Sequence, residues 1–236
     1  MRSPDITVPP ATAAIVLQLL SGGAPQTLPR HRHDLSREDV RETQRARIVA
    51  AAIELFADGG YSQTAVQDIT KRAGVSRKTF YELYATKEEV FLEAYQAVGV
   101  LVSEAGVMDA ESRGPELTPE TLDEYAQRLL LVMAVAPAAT KMFFLEALGA
   151  GPRVRLRRNE AIEEFVAAAV PGLREFRARY EPELPQLTIE QCRVLIAACI
   201  ELITQYLADH EAATLAALAP RLVDAVRAIV IPNYRS

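Results

Sequence analysis

Between Gln63 and Lys87 the chain reads QTAVQDITKRAGVSRKTFYELYATK, two short helix-forming stretches separated only by Gly74, Val75 and Ser76. In the first stretch Val66, Ile69 and Ala73 fall on one face, and Ser62 or Thr64 is placed to cap it. Gly74 can take the positive φ that stops a helix, and Ser76 can cap a second helix running from Arg77 to Tyr84. Val75 is placed to fill the angle between them. Two short helices joined by such a turn have the geometry of a helix-turn-helix, whose second helix lies in the major groove of DNA. On that helix Phe80 and Leu83 point inward, while Arg77, Lys78, Thr79, Tyr81 and Tyr84 point outward. The outward set supplies cations and hydroxyls for phosphates, long donors for guanine edges and a methyl for thymine.

The flanking sequence is also helical. Ser36 with Asp39 can cap a helix in which Ile48, Ala51, Ala52, Leu55 and Phe56 recur at three-four spacing until Gly59 and Gly60. Another starts near Thr86, with Lys87, Glu88 and Glu89 in its first turn, and continues through Phe91, Tyr95 and Leu101. Beyond residue 106 the pattern stays helical, with breaks expected at Gly114-Pro115, Pro137, Gly149 to Pro152, Pro171-Gly172, Pro182 to Pro185 and Pro220. No strand alternation and no internal repeat is evident. Residues 1–36, with five prolines, read as a flexible extension that packs on the domain, frays or helps the chain self-associate. Its basic stretch Arg30, His31, Arg32 and His33 is a solvated tail or an arm toward DNA.

A net charge of −5 argues at first against a polyanionic partner. Its distribution argues the other way: Lys71, Arg72, Arg77, Lys78 and Lys87 cluster around the turn, and acidic residues accumulate later in the chain. Cys192 and Cys199 sit seven apart in one helix, about 10 Å along its axis, too far to bridge, which fits a reducing cytoplasm. The apolar run Ala11 to Leu20 is too short for a membrane span, and Asp5 with Pro9-Pro10 spoils a secretory signal, so neither membrane nor export is expected. Catalysis finds no Gly-rich phosphate loop and no Cys or His pair at metal spacing; His31, His33 and His210 lie in a tail and near a helix end. No enzyme activity, metal or cofactor is expected.

The segment AGVSRKTFYELYATKEEVF resembles the recognition helix and start of the fourth helix in the tetracycline-repressor (TetR) family. AAIELFADGGYSQTAVQDITKRA is similar to that family's first two helices, including Phe56, Gly60 and Tyr61 and the Thr64 that opens the second helix. The likeness spans about residues 41 to 95. Tyr84 stands where the family usually has Phe, Thr70 where it often has Ala, and Val90 where Leu is common. The resemblance implies that Thr64, Tyr81, Tyr84 and Lys87 hold phosphates and that Arg77, Lys78 and Thr79 approach base edges; Ser76 is counted with them as a DNA-binding residue. It further implies an all-α fold: a three-helix DNA-binding domain over 37–86, then a helical ligand-binding and dimerisation domain over 87–236.

In the C-terminal half, two apolar helices are expected over Thr188 to Asp209 and Glu211 to Ile231. The resemblance implies a homodimer built from them, and Val194, Leu195, Ala198, Leu202, Leu218, Leu222, Ala225 and Ile229 give suitable apolar faces, unless these pack on their own subunit. Tyr125, Leu129, Met133, Met142, Phe143, Phe144, Leu148 and Phe165 are candidates for a pocket taking a small lipophilic effector, although each also reads as plain core. Arg153, Arg155, Arg157 and Arg158 cannot share one helix face and are expected to be mostly solvated. The expected function is a ligand-responsive repressor on a palindromic double-stranded operator; the alternative is a helical adaptor without sequence-specific DNA binding.

Overall fold

A computed structural model describes residues 37–106 and 118–234. The expectations for the extension, the Ser36 cap and the Gly114-Pro115 break lie outside the described residues. Among the described residues all regular structure is helical, as expected. The helices are α1 (Arg37–Gly59), α2 (Val66–Ala73), α3 (Arg77–Leu83), α4 (Lys87–Gly106), α5 (Leu122–Val135), α6 (Pro137–Lys141), α7 (Pro152–Tyr180), α8 (Ile189–Asp209) and α9 (Ala219–Val230). A π-helical turn, Met142–Glu146, follows α6, and a 3-10 segment, Ala212–Leu218, precedes α9.

The chain packs as two compact units. The first runs to Val100 and includes Ala136–Arg157; the second comprises Leu101–Val135 and the chain from Arg158 onward. The unit holding the helix-turn-helix thus takes in residues 87–100 and 136–157, where a boundary at residue 86 was expected. Aromatic packing accounts for this. Phe91 of α4 joins Phe56 of α1 and Tyr61 at centroid distances of 5.2 to 5.5 Å, and Tyr95 stacks on Phe143 of the π-helical turn at 4.3 Å. α1 is apolar nearly all round from Ala46 to Ile53 because α2, α6 and the π-helical turn all pack on it.

In the second unit Leu122, Val166, Phe176, Leu187, Cys192, Leu195, Ile196, Val223 and Val230 belong to one core. Thr188 caps α8 reciprocally with Gln191, a capping box the sequence carries in plain view. Two expectations are corrected here. α7 does not break at Pro171-Gly172; both residues are exposed, while Val166 and Phe176 on either side are anchored in the core. That anchoring holds the helix through a missing hydrogen bond. Residues 211–231 are not one helix. Ala212, Leu215 and Leu218 are buried every third residue, the period of a 3-10 helix, and Pro220 then opens α9 in the first turn, where no donor is required.

Burial also corrects the expected dimer set. Leu195, Leu218 and Leu222 are packed inside their own subunit, whereas Val194 is 60 % exposed and Ala198, Leu202, Ala225 and Ile229 are partly exposed. The candidate pocket residues divide between the units. Met142, Phe143, Phe144 and Leu148 lie in the first; Tyr125, Leu129, Met133 and Phe165 lie in the second. Leu148 is exposed to solvent, against expectation, because it falls in the turn after the π-helical segment. Met142 and Phe144 are buried, and Phe165 packs against the core of the second unit.

Arg177, unremarked in the sequence, is buried and donates to the backbone carbonyls of Pro185, Ile229 and Val230. Its cation answers the unpaired carbonyls at the end of α9.

Candidate DNA-binding face

The turn between α2 and α3 is built as its residues dictate. Gly74 has φ +63° and ψ +39°; its N–H donates to the Lys71 carbonyl and that of Val75 to the Thr70 carbonyl, the paired bonds that close a helix with a left-handed residue. Ser76 Oγ accepts from the Thr79 N–H at 3.0 Å and caps α3. A Cβ at Gly74 would lie 2.5 Å from the Arg47 guanidinium, whose flexible end can move away, so backbone strain dominates the cost of a side chain there. Gly74→Ala is therefore expected to destabilise the chain by about 1 kcal/mol. Urea unfolding measures this; a neutral result would deny that the left-handed turn matters.

Phe80 is fully buried, and its helix presents Ser76, Arg77, Lys78, Tyr81 and Glu82 to solvent. The Lys78 side chain is 87 % exposed and reaches Glu82 only loosely, at 3.8 Å. Such an exposed pair contributes little and yields readily to a polyanion. Thr79 is half-buried, its hydroxyl 2.9 Å from that of Ser76. Arg77, Lys78 and Tyr81 therefore form the accessible part of the expected set.

Three expected contacts are corrected. The Thr64 hydroxyl neither caps α2 nor faces outward; it is buried and donates to the Gly60 carbonyl at 2.9 Å. The first turn of α2 instead uses Asp68, which accepts from the Ala65 N–H at 3.0 Å, so Ser62 does not cap it either. Tyr84 is buried, and its hydroxyl donates to Glu93 Oε2 at 2.9 Å rather than to a phosphate. Burial and the neighbouring Glu93 carboxylate push that phenol's pKa up. Lys87 Nζ donates to the Tyr61 and Thr64 carbonyls at 2.7 and 2.9 Å and lies over the Tyr61 ring at 4.3 Å. This ammonium braces the loop before α2, and desolvation lowers its pKa.

The scaffold behind the face comes from residues the sequence did not single out. Arg45 on α1 grips Glu93 on α4 through two bonds of 2.7 Å, and Glu93 is wholly buried. Arg41 donates to the Glu82 carbonyl at 3.3 Å and Arg47 to that of Gly74 at 3.4 Å. Arg72, one of the clustered cations, pairs with Glu54 at 2.5 Å. The one advance signal is that Arg41 and Arg45 are four residues apart on α1, so they share a face.

Residues 48–94 match the sequence family described as bacterial regulatory proteins, tetR family. The HTH-type transcriptional activator FasR of Mycolicibacterium smegmatis is 36 % identical over 133 residues, 55 % of this chain and 53 % of that protein. An HTH-type transcriptional regulator of Bacillus subtilis, YezE, is 35 % identical over 57 residues, 24 % of this chain and 29 % of that protein. The chain thus spans about half, or less, of the length of these curated relatives. Among solved structures, the transcriptional regulator FadR from Bacillus subtilis in complex with stearoyl-CoA superposes with a TM-score of 0.61 at 21 % identity, covering 80 % of this chain and 98 % of that one. At that identity the likeness establishes the shared all-α fold. Residues 48–94, the stretch that builds the helix-turn-helix described above, thus form a domain that matches the tetR family of bacterial regulatory proteins.

Proposed function

We propose that the protein is a cytoplasmic transcriptional regulator that binds a palindromic double-stranded operator as a homodimer and leaves it when a lipophilic effector binds. The observation that carries this reading is the exposed Arg77, Lys78 and Tyr81 on a short helix whose turn, cap and back face are all fixed. A rigid donor array on a helix is what base-edge reading requires. The dimer reading rests on α8, apolar enough by length and composition to cross a bilayer, yet with only 28 % of its apolar stretch buried within the chain. Val194 is exposed and Ala198 and Leu202 partly so, and these are left for a second copy to cover, whereas Ala225 and Ile229 already pack in part against the chain's own core. Two recognition helices about 34 Å apart would then reach successive major grooves.

For the effector we infer a long acyl chain or its thioester. Support comes from the FadR complex with stearoyl-CoA, a structure this chain resembles in fold. An effector acts by its difference in affinity for the DNA-competent and released states. FasR is named an activator, which favours activation as the second reading; a reporter carrying the selected operator, with and without the protein, decides the sign.

Selection of bound sequences from a random duplex pool tests the core of the proposal, with a palindromic consensus as the expected outcome. On that consensus Lys78→Ala is expected to weaken binding by about 1 to 3 kcal/mol while changing affinity for scrambled DNA much less. Equal losses on both would remove Lys78 from base reading. Failure to enrich any sequence would leave the adaptor reading in place of the regulator.

A further inference from the structure

We infer that Tyr84 is a positioning residue for sequence recognition: its hydroxyl ties the end of the recognition helix to the buried Arg45–Glu93 pair and so fixes the angle at which α3 meets DNA. This rests on the DNA-binding reading above, while the fastening of α3 itself is read in the free protein. Tyr84 ends α3, its N–H donating to the Phe80 carbonyl at 2.9 Å. Its ring lies 5.8 Å from Phe80 and its hydroxyl 2.9 Å from Glu93 Oε2. The same carboxylate receives Nε and a terminal nitrogen of Arg45, both at 2.7 Å, and the Arg45 guanidinium stands 5.7 Å from the Tyr84 ring centroid. One acceptor group therefore joins α1, the end of α3 and α4.

The division of labour inside this cluster gives the hydroxyl its role. Glu93 is wholly buried and needs a counter-charge, which Arg45 supplies in two-point geometry without help from tyrosine. The phenol adds nothing to that neutralisation. It ties the end of α3 to that carboxylate by a charge-assisted bond in a desolvated setting, where direction is enforced strongly. α3 has seven residues, too few to hold its own shape, so its orientation is set by what its ends are fastened to. Ser76 fastens the start and Arg41 reaches the Glu82 carbonyl, but from an exposed site at 3.3 Å. The buried bond at Tyr84 is the stiffer restraint.

Tyr84→Phe tests this directly, because phenylalanine keeps the ring packing and leaves the Arg45–Glu93 pair whole. In the free protein, amide hydrogen exchange across α3 is expected to quicken about tenfold, with α1 and α4 unchanged. On DNA, the ratio of affinity for the selected operator over scrambled duplex is expected to fall about tenfold, while affinity for scrambled duplex and its salt dependence stay as in the unsubstituted chain. A purely structural hydroxyl would instead change exchange throughout the unit and lower both affinities together, and that result overturns the inference. Unaltered exchange in α3 overturns it as well. If the unsubstituted chain itself shows no preference for any sequence, the regulator reading falls, and the exchange measurement still decides the role of Tyr84.

Discussion

Glu93→Gln is expected to lower the stability of the chain by about 2 to 3 kcal/mol. The substitution keeps the shape of the side chain and removes its charge, so the whole effect is electrostatic. In the native chain the carboxylate is fully buried and satisfied by three donors, two from Arg45 and one from Tyr84. Glutamine offers one oxygen where the carboxylate offers two, and because Arg45 donates to both of those oxygens, the NH2 faces the guanidinium in either orientation, donor against donor. Breaking one side of a buried ion pair costs about 3 to 5 kcal/mol. Arg45 keeps 31 % side-chain exposure and can draw partly on water, which places the expectation at the lower end. Urea unfolding at unchanged m-value measures the loss. Removing all three polar groups together, in Arg45→Met with Glu93→Leu and Tyr84→Phe, is expected to recover most of it, since well-packed apolar side chains commonly match a buried ion pair. A loss below about 0.5 kcal/mol for Glu93→Gln, the range of an ordinary surface substitution, would sink this account.

That cluster also marks where sequence reasoning stopped. The turn was legible because its requirements are local: Gly74 for a left-handed residue, Ser76 for a cap and Phe80 for the inward face each follow from neighbours within four positions. Tyr84 was placed outward because a polar tip at the end of a short basic helix is compatible with either side. What turned it inward is a carboxylate nine residues on and an arginine 39 residues back, pairings that periodicity does not encode. Thr64 and Lys87 went astray for the same reason, since both are claimed by carbonyls of the loop between α1 and α2. In the C-terminal half, apolar spacing located α8 but did not say which of its faces is spent inside the subunit. Leu195 and Val194 are neighbours in sequence, and one is buried while the other is exposed. The π-helical turn has no sequence signature of its own, and Pro171 inside α7 shows tertiary packing overriding a helix breaker.

Phe80→Ala is expected to have the largest effect of any single truncation on the DNA-binding face, about 3 to 5 kcal/mol of stability with loss of operator binding. Phe80 is 0 % exposed and is the one residue of α3 that is buried, whereas Tyr81 beside it is 51 % exposed. A seven-residue helix has little stability of its own, so the attachment of α3 to the rest of its unit depends on that ring far more than on helix propensity. Removing it forfeits the transfer free energy of a phenyl group and leaves a cavity beside Tyr84, whose ring centroid is 5.8 Å away. The hydroxyl bond from Tyr84 to Glu93 then loses the packing that aims it, so the loss reaches the buried ion pair. Phe80→Leu, which keeps most of the apolar volume, is expected to cost far less, about 1 kcal/mol, and to retain operator binding. The graded pair separates anchoring from the mere presence of a side chain. Urea midpoints together with retention of the selected duplex give both readouts. If Tyr81→Ala destabilises the chain as much as Phe80→Ala does, α3 is held by its exposed surface and not by this buried ring.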